Sequence, residues 1–157
     1  MLVGVISDTH GLLRPEALVA LAECEQILHA GDVGDAAILE ALREIAPVTA
    51  IRGNVDVRGE CALLPATEAL ELGERLFYLV HSVHDLDLDP IAAEVDVVVS
   101  GHSHKPRIER KKGVMYLNPG SAGPRRFNLP VSVALMTVGK NGVEARIVEL
   151  EVSGETR

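Results

Sequence analysis

Leu2-Val3-Gly4-Val5-Ile6-Ser7 is a short apolar run that breaks abruptly into Asp8-Thr9-His10. A continuous Val- and Ile-rich run of this length, without polar alternation, is the pattern of a strand buried on both faces. Pro15 suits the first turn of a following helix, and Leu18, Leu21 and Ala22 recur at helical spacing over Pro15–Cys24. Gln26–Ala30 is a second short strand, closed by Gly31-Asp32. Ile38, Leu39, Leu42 and Ile45 then make one stripe along a helix over Ala36–Ile45, and Val48–Arg52 is a third strand closed by Gly53. Strand and helix alternating in this way predict a parallel sheet with crossover helices.

Beyond Pro65 the pattern changes. Thr67–Leu72 and Arg75–Val80 flank Gly73-Glu74 as a hairpin, and a short helix is expected near Pro90–Glu94. Val95–Ser100 is another buried apolar strand. Only strands follow: Arg107–Lys111, Val114–Leu117, Ser132–Val138 and Val143–Glu151, with Asn141-Gly142 as the turn between the last two. The expectation is one α/β domain over 1–157, with two packed sheets flanked by helices.

Composition narrows the function. Hydrophobic residues are 47% of the 157 and charged residues 24%, a globular balance rather than a disordered one. Aromatics are 3%, so Leu, Val, Ala and Ile must build the core. Fifteen basic residues against 23 acidic ones leave a net charge of −8, which argues against a broad electrostatic footprint for long nucleic acid. An anionic substrate then needs local positive charge from a few arginines or from metal. Cys24 and Cys61 form no CxxC pair, which fits a reducing compartment. No basic leader and no membrane-length apolar run are visible, so a cytoplasmic protein without a membrane partner is expected.

Each buried strand ends in polar residues with glycine. The first delivers Asp8 and His10, the second Asp32, the third Asn54, the hairpin His81, and Val95–Ser100 delivers His102 and His104. Loops at the carboxyl ends of strands in α/β sheets converge on one crevice. Turn chemistry explains Gly-Asp and Gly-Asn. It gives no reason for four of the six histidines to stand at strand ends. Oxygen and imidazole donors without thiolate suit Mn, Fe, Co, Ni or Zn. In Asp8-x-His10 and His102-x-His104 the spacing aims both side chains at one centre if the backbone is extended there.

The order Asp-x-His, Gly-Asp, Gly-Asn, His, Gly-His-x-His resembles the calcineurin-like metallophosphoesterase superfamily. Asn118-Pro119-Gly120-Ser121, with Pro124-Arg125 following, is similar to its small prokaryotic phosphodiesterase branch. The resemblance runs from Asp8 to Ser121. It implies a four-layer α-β-β-α sandwich of two mixed sheets flanked by helices, with a two-metal site. It also implies that Asp8, His10, Asp32 and His104 hold one metal and Asp32, Asn54, His81 and His102 the other, Asp32 bridging. Asp32, Asn54 and His102 are the catalytic residues expected from it. The implied cofactors are two divalent ions, Mn first and Ni, Zn, Fe or Co as alternatives, sharing a hydroxide that attacks a small phosphodiester. Whether the chain forms a homo-oligomer is left open.

Two positions depart from the wider family. Larger members carry a histidine directly after the metal-binding asparagine as an acid for the leaving group, and here Val55 stands there. The branch shows His-Gly-His after the fourth strand, where this chain has His81-Ser82-Val83-His84, which leaves His84 outside the ligand set. His29, inside an apolar strand, reads as a core or supporting residue, and Asp35 and Asp56 as residues that orient ligands. The rival reading is a low-activity or non-catalytic scaffold on the same fold, like a eukaryotic retromer subunit. All seven ligand positions keep metal-binding side chains, which favours an enzyme.

Overall fold

The computed structural model describes residues 1–152. Its first half holds β1 (Leu2–Ile6), α1 (Pro15–Ala20), β2 (Gln26–His29), α2 (Ala36–Arg43), β3 (Val48–Ala50), β4 (Thr67–Leu72) and β5 (Arg75–Val80). The second half holds β6 (Val97–Val99), β7 (Arg107–Lys111), β8 (Val114–Asn118), β9 (Ser132–Gly139) and β10 (Gly142–Glu149). Two five-stranded sheets result, ordered β10-β9-β1-β2-β3 and β4-β5-β6-β8-β7. In the first, β1, β2 and β3 run parallel and the β9–β10 hairpin joins antiparallel. In the second, β5, β6 and β8 are parallel, with β4 and β7 antiparallel at the edges. Both sheets are therefore mixed, as expected.

Burial explains the layers. Val5, Leu28, Phe77, Leu79, Val99, Leu117 and Met136 fill the space between the sheets, which is why the central strands read as unbroken apolar runs. Ala17 of α1, Leu21 directly after it, and Leu39 and Leu42 of α2 cover the other face of the first sheet against Ile6, Ile27 and Val133. The outer face of the second sheet presents Tyr78, Val80, Val98 and Val114, covered by Leu86, Leu88 and Val95.

That last covering layer differs from the expectation. Pro90–Glu94 is a set of turns rather than a helix, with Ala93 N donating to Asp89 O at 2.9 Å and Val95 N to Pro90 O at 2.8 Å. Five residues cannot repay the cost of helix nucleation, and Glu94 turns out of helical geometry at φ 58°. A 3₁₀ turn at Val83–Asp85 and another at Gly59–Leu63 were not anticipated. None of the described helices is long and apolar enough to cross a membrane.

Phe77 is fully buried between the sheets in a core that has little other aromatic bulk. Phe77→Ala is expected to lower the unfolding free energy by about 3–5 kcal/mol. Denaturant unfolding beside the exposed control Val19→Ala checks this, and a loss equal to the control's contradicts the packing.

Candidate metal centre

The five punctuated segments meet at the carboxyl ends of both sheets. Asp8 N donates to Gly31 O at 3.0 Å and His10 N to Asp32 O at 2.9 Å, which pins the loop after β1 to the loop after β2. Gly101 N donates to His81 O at 2.9 Å, joining the loops after β6 and β5. His102 N reaches across to Asp8 Oδ2 at 3.0 Å and ties the two sheets together.

Two glycines make this approach feasible. A Cβ on Gly53 would stand 2.2 Å from Asp32 Oδ1, and one on Gly101 would stand 2.0 Å from Ser7 Oγ. These positions look like ordinary turn punctuation, but here they are spaces that a carboxylate and its partner occupy.

The backbone at the donor positions is not extended. Asp8, His10, Asp32, His102 and His104 have φ of 55°, 46°, 56°, 70° and 63°. Left-handed residues fold the chain back within one step, so each side chain turns inward while the next segment leaves the site. Asp and His tolerate this region better than most residues.

Each carboxylate has one oxygen tied and one presented. Asp8 Oδ2 accepts from Ser7 Oγ at 2.7 Å as well as from His102 N, whereas Oδ1 is buried without a partner. Asp32 Oδ1 accepts from Val55 N at 3.0 Å, and Oδ2 lies 3.5 Å from His10 Nε2 and 3.2 Å from His81 Nε2. His81 Nδ1 meets Ala30 O at 2.7 Å, and a carbonyl only accepts, so Nδ1 carries the proton and neutral Nε2 offers a lone pair inward.

Three buried polar atoms therefore meet without hydrogen-bond partners, Asp8 Oδ1 with His10 Nε2 and His81 Nε2 at 3.8 and 3.9 Å from it, while His104 Nε2 stands 3.4 Å from the same oxygen. Buried groups of this kind normally find hydrogen-bond partners, and orphans cost about 1–3 kcal/mol each. Asp8, His10 and His104 form one three-donor group, and Asp8, Asp32 and His81 another, each with its atoms within 4.8 Å. Mixed carboxylate and imidazole donors in that geometry fit divalent cations.

The other two expected residues lie at the rim. His102 is exposed and belongs to neither group, but its ring stands edge-on to His81 with centroids 5.3 Å apart. Asn54 is exposed, one residue past Gly53.

The supporting residues divide into anticipated and missed. Asp56, 2% exposed, accepts from Val33 N, Gly34 N and Gly53 N at 3.1, 3.0 and 2.8 Å and locks two donor loops together. Asp35 instead caps α2 through Ala37 N. His29 is a fully buried core histidine between Gly31 N and Thr9 Oγ1. Asn118 Nδ2 holds Gly101 O at 2.9 Å and Ser121 Oγ holds Asp8 O at 3.0 Å, so the Asn118–Ser121 turn braces the centre. Ser7 was missed, because a strand's last residue carries no signal that its hydroxyl will hold a carboxylate.

Residues 1–141 match the calcineurin-like phosphoesterase superfamily domain. The chain belongs to that superfamily. It is 35% identical over 164 residues to a probable metallophosphoesterase of Methanocaldococcus jannaschii, covering 96% of this chain and 82% of that protein. It is 29% identical over 154 residues to the phosphodiesterase YfcE of Escherichia coli, covering 83% of this chain and 84% of the relative. Its fold is that of Vps29 from Entamoeba histolytica, solved with Zn²⁺, at a TM-score of 0.72, 23% identity and coverage of 95% of this chain and 99% of the other.

Protonation in this phosphoesterase follows from the same geometry. Burial disfavours charge on Asp8, but His10, His104 and Ser7 outweigh it and hold the carboxyl far below the ordinary carboxylate range. His10 is raised above its ordinary 6.5, first by Asp8, against burial and the repulsion of Arg126. Burial opposes charge on His81, yet Asp32 and the Ala30 carbonyl raise it overall. His29 is pushed down to about 4 by burial and stays neutral.

The raised imidazoles bind protons more tightly in the folded, metal-free protein than when unfolded. Their contribution to stability is thus complete below about pH 6.5 and is lost as pH rises through the raised values. Cations need the neutral imidazoles and gain affinity over the same window. Thermal unfolding from pH 6 to 9 in EDTA and in excess Mn²⁺ should give curves that diverge as pH rises. Parallel curves would mean that no titrating group links metal to the fold.

Proposed function

We propose that this phosphoesterase is a dinuclear metal-dependent phosphodiesterase acting on small phosphodiesters. The observation that carries the proposal is the group of three buried, unpaired donor atoms, Asp8 Oδ1, His10 Nε2 and His81 Nε2, with His104 Nε2 at 3.4 Å from Asp8 Oδ1. In this reading Asp8, His10, Asp32 and His104 hold one cation, and Asp32, Asn54, His81 and His102 the other. Asp32 Oδ2 lies within 3.5 Å of an imidazole from each set, so this carboxylate would serve both cations. The relatives named metallophosphoesterase and phosphodiesterase support the reaction class. The donor set, free of thiolate, suits Mn, Ni, Zn, Fe or Co, and of these we place Mn²⁺ first. The likeness to Vps29 is one of fold and leaves the scaffold reading second.

Bound divalent cations supply Lewis acidity to the phosphoryl oxygens and make attack by water feasible at neutral pH. The chain's own residues prepare that chemistry. Asp8 stays ionised because His10 and His104, and then Ser7 Oγ, outweigh the cost of burying its charge. The Ala30 carbonyl fixes the His81 tautomer, and Val55 N fixes the Asp32 carboxylate. His102 and Asn54, both exposed at the rim, would complete the donor set of the second cation on the solvent side.

Metal analysis should find about two divalent ions per chain. Asp32→Ala should lose most of the bound metal and most hydrolysis of bis-p-nitrophenyl phosphate, because it removes a ligand from both ions. A wild-type protein that takes up no metal, or an Asp32→Ala variant with full metal and turnover, contradicts the proposal.

Val55 sharpens the reading. Its side chain is 45% exposed and has no proton to give, while a positioned acid ordinarily contributes about 10²–10⁴-fold to leaving-group departure. Turnover should therefore be fast on aryl esters and much slower on alkyl esters. Measurement of kcat/KM against leaving-group pKa should give a steep dependence. A flat one, with chemistry rate-limiting, points to another proton donor, and exposed His84 is the first to mutate.

A further inference from the structure

The loop between Gly123 and β9 carries an unexplained feature. Phe127 is one of two phenylalanines in the chain, yet it is 82% exposed and holds φ 53°, a strained conformation for a bulky side chain. It does not serve any of the three apolar clusters. With Leu129 it lines a cleft of about 560 Å³ whose other wall is His102, Ser103 and Lys105. The cleft thus opens from the rim of the metal centre itself. Arg126 borders it too, and its charge reaches His10. In a chain of net charge −8, Lys105 and Arg126 put local positive charge where an anion would enter.

A second groove leaves the same rim on the far side of Ser103 and Lys105, past His84 and Tyr116. There Glu109 takes up the charges of Arg107 and Lys111, and the aromatic lining is the half-buried Tyr116 rather than an exposed ring. The Phe127 cleft combines an exposed aromatic face, an aliphatic neighbour and, from Lys105 and Arg126, positive charge beside His102.

We propose that this cleft is the subsite for one ester arm of the substrate, selecting a planar aromatic arm that stacks on Phe127 while Lys105 and Arg126 attract the phosphodiester anion. The proposal rests on the phosphodiesterase reading and adds to it a substrate class and a specificity residue. Aromatic faces stack favourably in offset or edge-on geometry.

The test holds the leaving group constant and varies the other arm. Phenyl p-nitrophenyl phosphate and ethyl p-nitrophenyl phosphate are compared as kcat/KM on Mn²⁺-loaded protein, wild type against Phe127→Asn and Phe127→Tyr. Asparagine accepts the left-handed backbone, so the loop is kept while the ring is lost. The phenyl-to-ethyl ratio should fall about fivefold in Phe127→Asn and persist in Phe127→Tyr. Calorimetry supplies a readout without turnover: the affinity ratio of phenylphosphonate to methylphosphonate should fall in the same variant by a similar factor.

A ratio unchanged within about twofold in either measurement overturns the subsite while leaving the phosphodiesterase reading intact. A concentration-dependent dimer that Phe127→Asn abolishes, with the arm ratio unmoved, also overturns it, since the ring would then serve a second copy of the chain. Hydrolysis of neither ester with any of the candidate metals removes the phosphodiesterase reading and the subsite together.

Discussion

Asp8 is fully buried and carries a charge, a combination that a protein interior tolerates only with close compensation. One oxygen receives it from Ser7 Oγ and His102 N, and the other faces three imidazoles at 3.4 to 3.9 Å. Those partners come from β1, β5 and β6, which belong to two different sheets. The registration of the sheets at this end is therefore coupled to the electrostatics of one carboxylate. The glycines, the left-handed φ values and the Asn118–Ser121 brace follow from the need to bring that many backbones so near to it.

Much of this was legible in the sequence, and for identifiable reasons. The strands that frame the site are apolar on both faces, so their runs stand out without alternation. Their ends are marked by histidine, which turns do not require. What was illegible depends on three-dimensional packing. The Asp8-x-His10 and His102-x-His104 spacing would aim both side chains at one centre on extended backbone, but both residues of each pair are left-handed. Spacing by two is compatible with either geometry, and only the neighbouring loops decide. The missing helix at Pro90–Glu94 has the opposite cause, for its composition permits a helix but its length does not sustain one.

Supporting residues show the same division. Asp56 could be suspected because it follows a candidate ligand at short spacing, and three backbone amides from two loops confirm its bracing place. Ser7 and Ser121 could not, since a serine at a strand end or after a glycine is ordinary. Their hydroxyls matter only because the chain folds Asp8 between them, Ser7 on the carboxylate and Ser121 on the main-chain carbonyl.

Val55 joins these threads. The position after the third strand's asparagine holds the Asp32 carboxylate through its backbone N–H, a task that any residue but proline can perform. Its side chain is consequently free of the architecture and points to solvent, 45% exposed. A histidine there would add a proton donor without altering the hydrogen bond that orders Asp32. Valine keeps the geometry of the centre and removes that donor, so the chemistry of the leaving group can vary while the donor cluster stays intact. The tight packing of Gly53 and Gly101 against carboxylates gives the site its rigidity, whereas Val55, Asn54 and His102 stand exposed at its rim.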